Sequence, residues 1–152
     1  GEYPLVVTAE NRLSHIDYQF DCKAVIVPLV SSTGHGHASL KRIHYQENKF
    51  AVGTILACIY PFCNDILNMK FLYHYLDTYK KMFFVQKMKG GANVTLKIKS
   101  IQETPIPVIP YQIQCDFEEK IKRCNNLEQE IMQIEENANM LKQAVLKESF
   151  QN

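Results

Sequence analysis

The sequence predicts a single globular α/β (α+β) domain of mixed strands and few helices over residues 1–110, followed by one long coiled-coil helix over residues 111–152. Three observations predict it. Short β-branched runs closed by proline or glycine recur through the first half of the chain. One segment of the body repeats apolar residues at helical spacing. Residues 111–152 contain neither proline nor glycine, so nothing interrupts a helix there.

In chain order, Tyr3–Thr8 (YPLVVT) reads as a strand and Glu10–Asp21 as a polar loop. Lys23–Leu29 (KAVIVPL) is a strong strand ended by Pro28. Val30–Ala38 (VSSTGHGHA) is a loop, rich in glycine and hydroxyl residues. Leu40–Tyr45 alternates apolar and basic residues and reads as a short strand. Phe50–Tyr60 is a buried strand interrupted by Gly53 and closed by Pro61. Asp65–Lys81 is the helix of the body, with Ile66, Met69, Leu72, Tyr73 and Leu76 on one face and Asn64 or Asp65 as N-cap. Phe83–Val85 restarts a strand, Thr95–Ile101 is a strand or a short helix, and Thr104–Pro110 is a proline-punctuated strand. Pro105, Pro107 and Pro110 exclude a helix there by fixing φ and removing backbone donors.

The terminal run predicts a helix of about 35 residues, roughly 50 Å long. Leu127, Ile131, Ile134, Ala138, Leu141 and Val145 follow alternating steps of four and three, and Cys124 and Phe117 continue the stripe backwards. This is the narrow a/d seam of a coiled coil, and the faces between are Glu, Lys, Gln and Asn. So polar a helix needs a partner for its seam.

The chain has 152 residues with 17 basic and 16 acidic groups, a net charge of +1. That sum hides an asymmetry: residues from Tyr111 onward carry 5 basic and 8 acidic groups, the body before them 12 and 8. A basic body on an acidic stalk suits a nucleic-acid reader held on a protein spacer. No apolar run approaches the ~18 residues that cross a bilayer, and no secretory leader opens the chain. Five scattered cysteines without a C-x-x-C pair point to neither a zinc site nor a disulfide framework. Cys58 and Cys63 read as small core residues, and reduced thiols fit a cytoplasmic protein.

Two stretches carry candidate chemistry. Lys80–Lys99 holds six lysines and no acidic residue. Within it, Lys87 and Lys89 precede Gly90-Gly91, which allows close backbone approach, and Asn93 follows, able to pair bidentately with adenine. The second stretch offers the hydroxyls of Ser31, Ser32 and Thr33, then His35, His37, Lys41 and Arg42. Hydroxyls and basic groups donate to phosphate, and Arg42 can read guanine. A solvated lysine face around a hairpin turn explains the first stretch equally well. His35-Gly36-His37 is a poor metal pair, with no carboxylate or thiol nearby in sequence. No P-loop, G-x-S-x-G or H-E-x-x-H motif is present, and neither Ser31 nor Cys58 has a neighbour that would activate it.

The order of these motifs resembles the target recognition domain of type I restriction–modification specificity (S) subunits. The matching residues are the Tyr3-Pro4 opening with its valine run, Ala24–Pro28 with the Ser-Thr-Gly loop behind it, Lys49–Val52, and Gly90-Gly91-Ala92-Asn93-Val94. The match continues through Ile106-Pro107-Val108-Ile109-Pro110-Tyr111 with Gln114 and Phe117, and through Met140–Leu146 closing on Phe150. The family usually has two adjacent prolines where only Pro110 stands. A full-length member carries a second recognition domain, so the resemblance implies a fragment or a half-sized subunit. It implies a non-catalytic, cofactor-free reader of one half of a bipartite double-stranded DNA target. Its helix would pair with that of a second recognition domain or with itself. Methyltransferase (M) subunits, and through them the nuclease (R) subunit, would supply the chemistry. Two other readings stay open: the specificity portion of a single-chain restriction–methylation enzyme, and a coiled-coil interaction module that binds no DNA.

Overall fold

The computed structural model describes residues 1–33, 36–63 and 65–151. It divides into two units, Gly1–Gln114 and Cys115–Asn152. The fold class is the expected one: a mixed α/β body and a long terminal helix.

The body is built on β4 (Ala24–Pro28), every residue of which is buried. Successive strand side chains point to opposite faces, and both faces of this run are apolar. Val25 and Val27 enter one core cluster, Ala24 and Ile26 the other. β4 is the centre of an antiparallel three-stranded sheet, between β5 (His44–Gln46) and β7 (Leu56–Ile59). The face carrying Ala24 and Ile26 packs with Val6, Phe50 and Leu56. Val6 and Phe50 belong to a second, mixed sheet of β1 (Tyr3–Val6), β2 (Leu13–His15), β3 (Phe20–Asp21) and β6 (Lys49–Val52), ordered β2-β1-β6-β3. Within it β1 and β6 run parallel. The face carrying Val25 and Val27 is covered by α1 (Met69–Phe83) through Met69, Leu72, Leu76 and Phe83. The result is three layers: sheet, sheet, helix.

α1 starts at Asn68, whose side chain accepts the Phe71 amide at 3.0 Å, the standard N-cap bond. Lys80 and Lys81 sit in its last turn, where cations offset the helix dipole. Phe71, Tyr75, Tyr79 and Phe83 form a ladder of ring contacts at i, i+4 along the helix. The Tyr75 hydroxyl donates to the Pro105 carbonyl at 3.2 Å.

Several expectations are corrected. The N-cap is Asn68, not Asp65, and Asn64 lies outside the described residues. The expected loop at Glu10–Asp21 contains β2 and β3, whose short lengths gave no alternation to read. Phe50–Tyr60 is two strands in two different sheets, with Gly53 at the crossing. Of Leu40–Tyr45 only His44 and Tyr45 join a strand; Leu40 and Ile43 are core residues on irregular backbone. Phe83–Val85 is not a strand: α1 runs through Phe83, and a 3-10 turn follows at Val85–Lys87. Burial of Phe83 and Phe84 overrides their β propensity. Thr95–Ile101 resolves into an isolated bridge at Thr95 and a short helix, α2 (Ile98–Gln102). The proline segment 105–110 pairs with no strand; its prolines lack the donors a ladder needs. Cys63 is exposed rather than core, and Cys58 is half-buried.

The helix α3 spans Tyr111–Phe150, 40 residues, or ~60 Å at 1.5 Å per residue. The Pro110 carbonyl accepts from the Ile113 and Gln114 amides. Gln114 is buried, and its side-chain amide is fully used. Oε1 accepts the Asn68 amide at 2.8 Å, while Nε2 donates to the carbonyls of Ile109 at 2.8 Å and Ile66 at 3.1 Å. One side chain thereby ties the entry to α1, the proline segment and its own helical turn.

Replacing Gln114 by Leu keeps the volume but strands one buried backbone amide and two part-buried carbonyls. An unsatisfied buried group costs ~1–3 kcal/mol and a part-buried one less, so Gln114→Leu is expected to lower the urea-unfolding free energy by about 2 kcal/mol. A loss under 1 kcal/mol would mean that water replaces these bonds.

Candidate nucleic-acid interface

The two chemically suggestive stretches, far apart in sequence, meet in space. Beyond β4 the chain continues as Leu29–Ser31, and this extension pairs with residues 94–96. The Leu96 amide donates to the Leu29 carbonyl at 2.8 Å, and the Ser31 amide to the Val94 carbonyl at 2.9 Å. Val30 and Thr95 form the antiparallel bridge between them. Thr95 also exchanges both backbone bonds with Lys89, at 2.9 and 3.0 Å, which closes residues 89–95 into a tight hairpin. Met88, Val94 and Leu96 are buried in the larger core cluster, whereas Lys87, Lys89, Gly90, Gly91, Asn93 and Lys97 are exposed. The apolar residues anchor the turn and leave its basic and polar ones outward.

Gly90 has φ +145°, and a Cβ there would lie 2.0 Å from the Asn93 carbonyl oxygen. Only glycine fits that position. A Cβ on Gly91 would meet nothing within 4 Å. The neighbouring loop comes near this turn: a Cβ on Gly36, itself at φ +79°, would sit 3.7 Å from the Gly91 carbonyl oxygen.

The hydroxyls of the 31–41 loop are spent largely on the loop itself. Ser31 Oγ donates to the His37 carbonyl and accepts the Ser39 amide at 3.0 Å. Thr33 Oγ1 lies 2.8 Å from Ser39 Oγ, which also accepts the Thr33 amide at 3.1 Å. Ser32 Oγ accepts the Lys41 amide at 2.8 Å. Ser32, Thr33, His37 and Lys41 remain exposed at the surface, and His35 lies outside the described residues. Sequence reasoning missed Ser39, which shares the centre of this web with Ser31 and Thr33; its only signal was the density of serine and threonine in a loop, where hydroxyls cap local backbone.

Arg42 is drawn away from the loop into an ion pair with Glu10, 3.0 Å, with its side chain one-quarter exposed. Of the six lysines, Lys80 pairs with Asp77 at 2.8 Å and Lys99 with Glu103 at 3.7 Å. The others, Lys81, Lys87, Lys89 and Lys97, are exposed.

Behind Arg42 lies a second polar cluster. Arg12 donates to the Gln46 side chain at 2.9 Å, to the carbonyls of Glu10 and Tyr45, and to His44 Nδ1 at 3.2 Å. Because Arg12 can only donate, Nδ1 accepts and the imidazole proton sits on Nε2. That Nε2 is buried and finds no partner among the described residues. Burial, then the charges of Arg12 and Arg42, hold the His44 pKa down at about 4.

A cleft of about 400 Å³ between β7, α1 and α2 is lined mainly by apolar side chains, including Ile59, Leu72, Leu76, Ile98 and Ile101. Cys58 borders it, and burial pushes that thiol up to about 12, so it is not a thiolate at neutral pH. Among the described residues no three His, Cys, Asp or Glu side chains cluster as a metal site would require. Nor, among them, is any helix long and apolar enough to cross a membrane.

What the geometry defines is a set of exposed basic and amide groups on loops anchored in the core. The family model described as the type I restriction modification DNA specificity domain matches residues 1–139. The chain belongs to that family. No curated protein matches it.

The depressed pKa of His44 has a signed consequence. As pH falls below 6.5 the unfolded chain protonates first, so the stability held by neutral His44 is complete above about 6.5. It is lost on the way down to about 4, on the order of 3 kcal/mol in all. His44→Asn keeps an acceptor for Arg12 but does not titrate. Urea unfolding at pH 7 and pH 4.5 is expected to show a pH-dependent loss about 2 kcal/mol smaller in His44→Asn than in the parent. Equal losses would assign the acid limb to other groups.

Proposed function

We propose that this chain reads double-stranded DNA as the specificity component of a type I restriction–modification assembly, one body to one half of a bipartite target. The observation that carries the reading is the convergence of the lysine–glycine hairpin and the hydroxyl-rich loop on one ladder, in a chain of this family. Lys87, Lys89 and Lys41 supply phosphate contacts, which set affinity but no sequence preference. Asn93, beside the glycines, is the candidate base reader, and Gly90-Gly91 lets backbone approach the duplex. Ser31, Ser32, Thr33 and His37 shape or line the same surface. Arg42 reaches DNA only by leaving Glu10.

α3 is the spacer. Leu127, Ile131, Ile134, Leu141 and Val145 are each more than half exposed, and Ala138 is exposed between them. Leu127, Ile134 and Leu141 alternate with Ile131, Ala138 and Val145, an exposed apolar seam that calls for a partner helix. That partner is the helix of a second recognition domain, or of a second copy, and the pair holds two bodies at a fixed separation in the cytoplasm. The body uses no cofactor and performs no catalysis; methyltransferase subunits, and through them the nuclease subunit, act on the DNA it selects.

Two measurements test this. In duplex binding followed across salt concentrations, the Lys87→Ala/Lys89→Ala double variant is expected to weaken binding to all sequences. It should also reduce the slope of log K against log salt by about 2, while Asn93→Ala changes which sequences are preferred. Parental affinity and slope in the double variant would place the hairpin away from DNA. Inserting four residues beside Glu135 lengthens the spacer by ~6 Å and rotates its ends; the required half-site separation is expected to change or binding to be lost. Unchanged spacing at parental affinity would remove the spacer role.

A further inference from the structure

Ser39 lies in neither core cluster and carries no charge, yet it is tied into the 31–41 loop as fully as Ser31 or Thr33. Its hydroxyl accepts the Thr33 amide and meets Thr33 Oγ1 and Ser31 Oγ; its amide donates to Ser31 Oγ, and its carbonyl accepts the Ser32 amide at 2.9 Å. Leu40, next in sequence, is buried in the core and fixes this end of the loop. The other end is fixed by the Val30–Thr95 bridge. Between two anchored ends, the web around Ser39 ties Ser31, Ser32 and Thr33 to the far side of the loop, the side from which Gly36 approaches Gly91.

We infer that Ser39 is a positioning residue that makes the 31–41 loop and the 89–95 hairpin one composite reading surface. The inference rests on the DNA-reading proposal above. Lysine attraction to phosphate tolerates many geometries, so non-specific binding does not need the loop held. Base reading requires donors and acceptors at fixed places, and a loop that must be ordered on binding weakens only the correct complex. Loss of Ser39 Oγ therefore falls on discrimination, not on general affinity.

The test uses the full chain, a pool of 30-bp duplexes randomised over the bound region, and poly(dI-dC) as non-specific competitor. The parent is expected to enrich a defined sequence from the pool. Ser39→Ala is expected to lower that enrichment about tenfold, the equivalent of one or two net hydrogen bonds. Its affinity for poly(dI-dC) and its Tm should stay close to parental, and its Thr33 amide should exchange faster with solvent. Ser39→Thr, which retains the hydroxyl, is expected to restore most of the enrichment. If Ser39→Ala enriches the parental sequence as strongly as the parent, or if it loses poly(dI-dC) binding in the same proportion, the positioning role is overturned while DNA reading stands. If the parent enriches nothing, DNA reading itself fails and this inference with it.

Discussion

The body is closed by one side-chain amide. Gln114, in the first turns of α3, meets an amide and two carbonyls from two segments that no sheet or helix ladder serves: the residues before α1 and the proline stretch. Buried backbone groups must find partners, and prolines at 105, 107 and 110 leave this region short of donors. A glutamine with one acceptor and two donors supplies what is missing. Asn68 then caps α1 from the same spot, so the helix covering the main core begins where Gln114 holds its backbone. The consequence reaches the candidate interface indirectly: α1 buries Val25 and Val27, and β4 leads into the 31–41 loop through Leu29–Ser31, which pair with residues 94–96.

β4 thus links packing to function. Its two apolar faces make it the most buried strand, and its continuation at Leu29–Ser31 carries the bridge to Thr95. Loops that read a ligand gain from a rigid support, since a misplaced donor loses most of its value. Here the support is the centre of the core, and the candidate residues Ser31–Thr33 begin three positions beyond Pro28, the last buried residue of β4. Met88 and Val94 bracket the hairpin in the same manner. The exposed lysines owe their positions to apolar neighbours that alternate with them in sequence.

Much of this was legible in the chain. The β4 run, the period of α1 and the uninterrupted terminal helix were readable because each element's pattern is long or its composition extreme. The β2 and β3 strands were not readable, because two or three residues carry no period. Phe83–Val85 misled because aromatic and β-branched residues favour strands locally, while burial of Phe83 and Phe84 against the sheet decided for helix. At the interface, residue types pointed to both loops but not to their meeting, which depends on pairing between residues over sixty positions apart. The pairing of Arg42 with Glu10, and the cross-bracing by Ser39, are tertiary facts with no local signature.

The glycine pair at the hairpin tip divides its labour sharply. At Gly90 the backbone angle and the nearby Asn93 carbonyl exclude every other residue, whereas Gly91 has open space around it and Ala92 and Asn93 point into solvent. Scaffold and message are therefore separable within four consecutive residues. The three outward positions can be rewritten without disturbing the buried valine and methionine that seat the turn, and under the proposed function such changes would alter the target while the architecture stays constant.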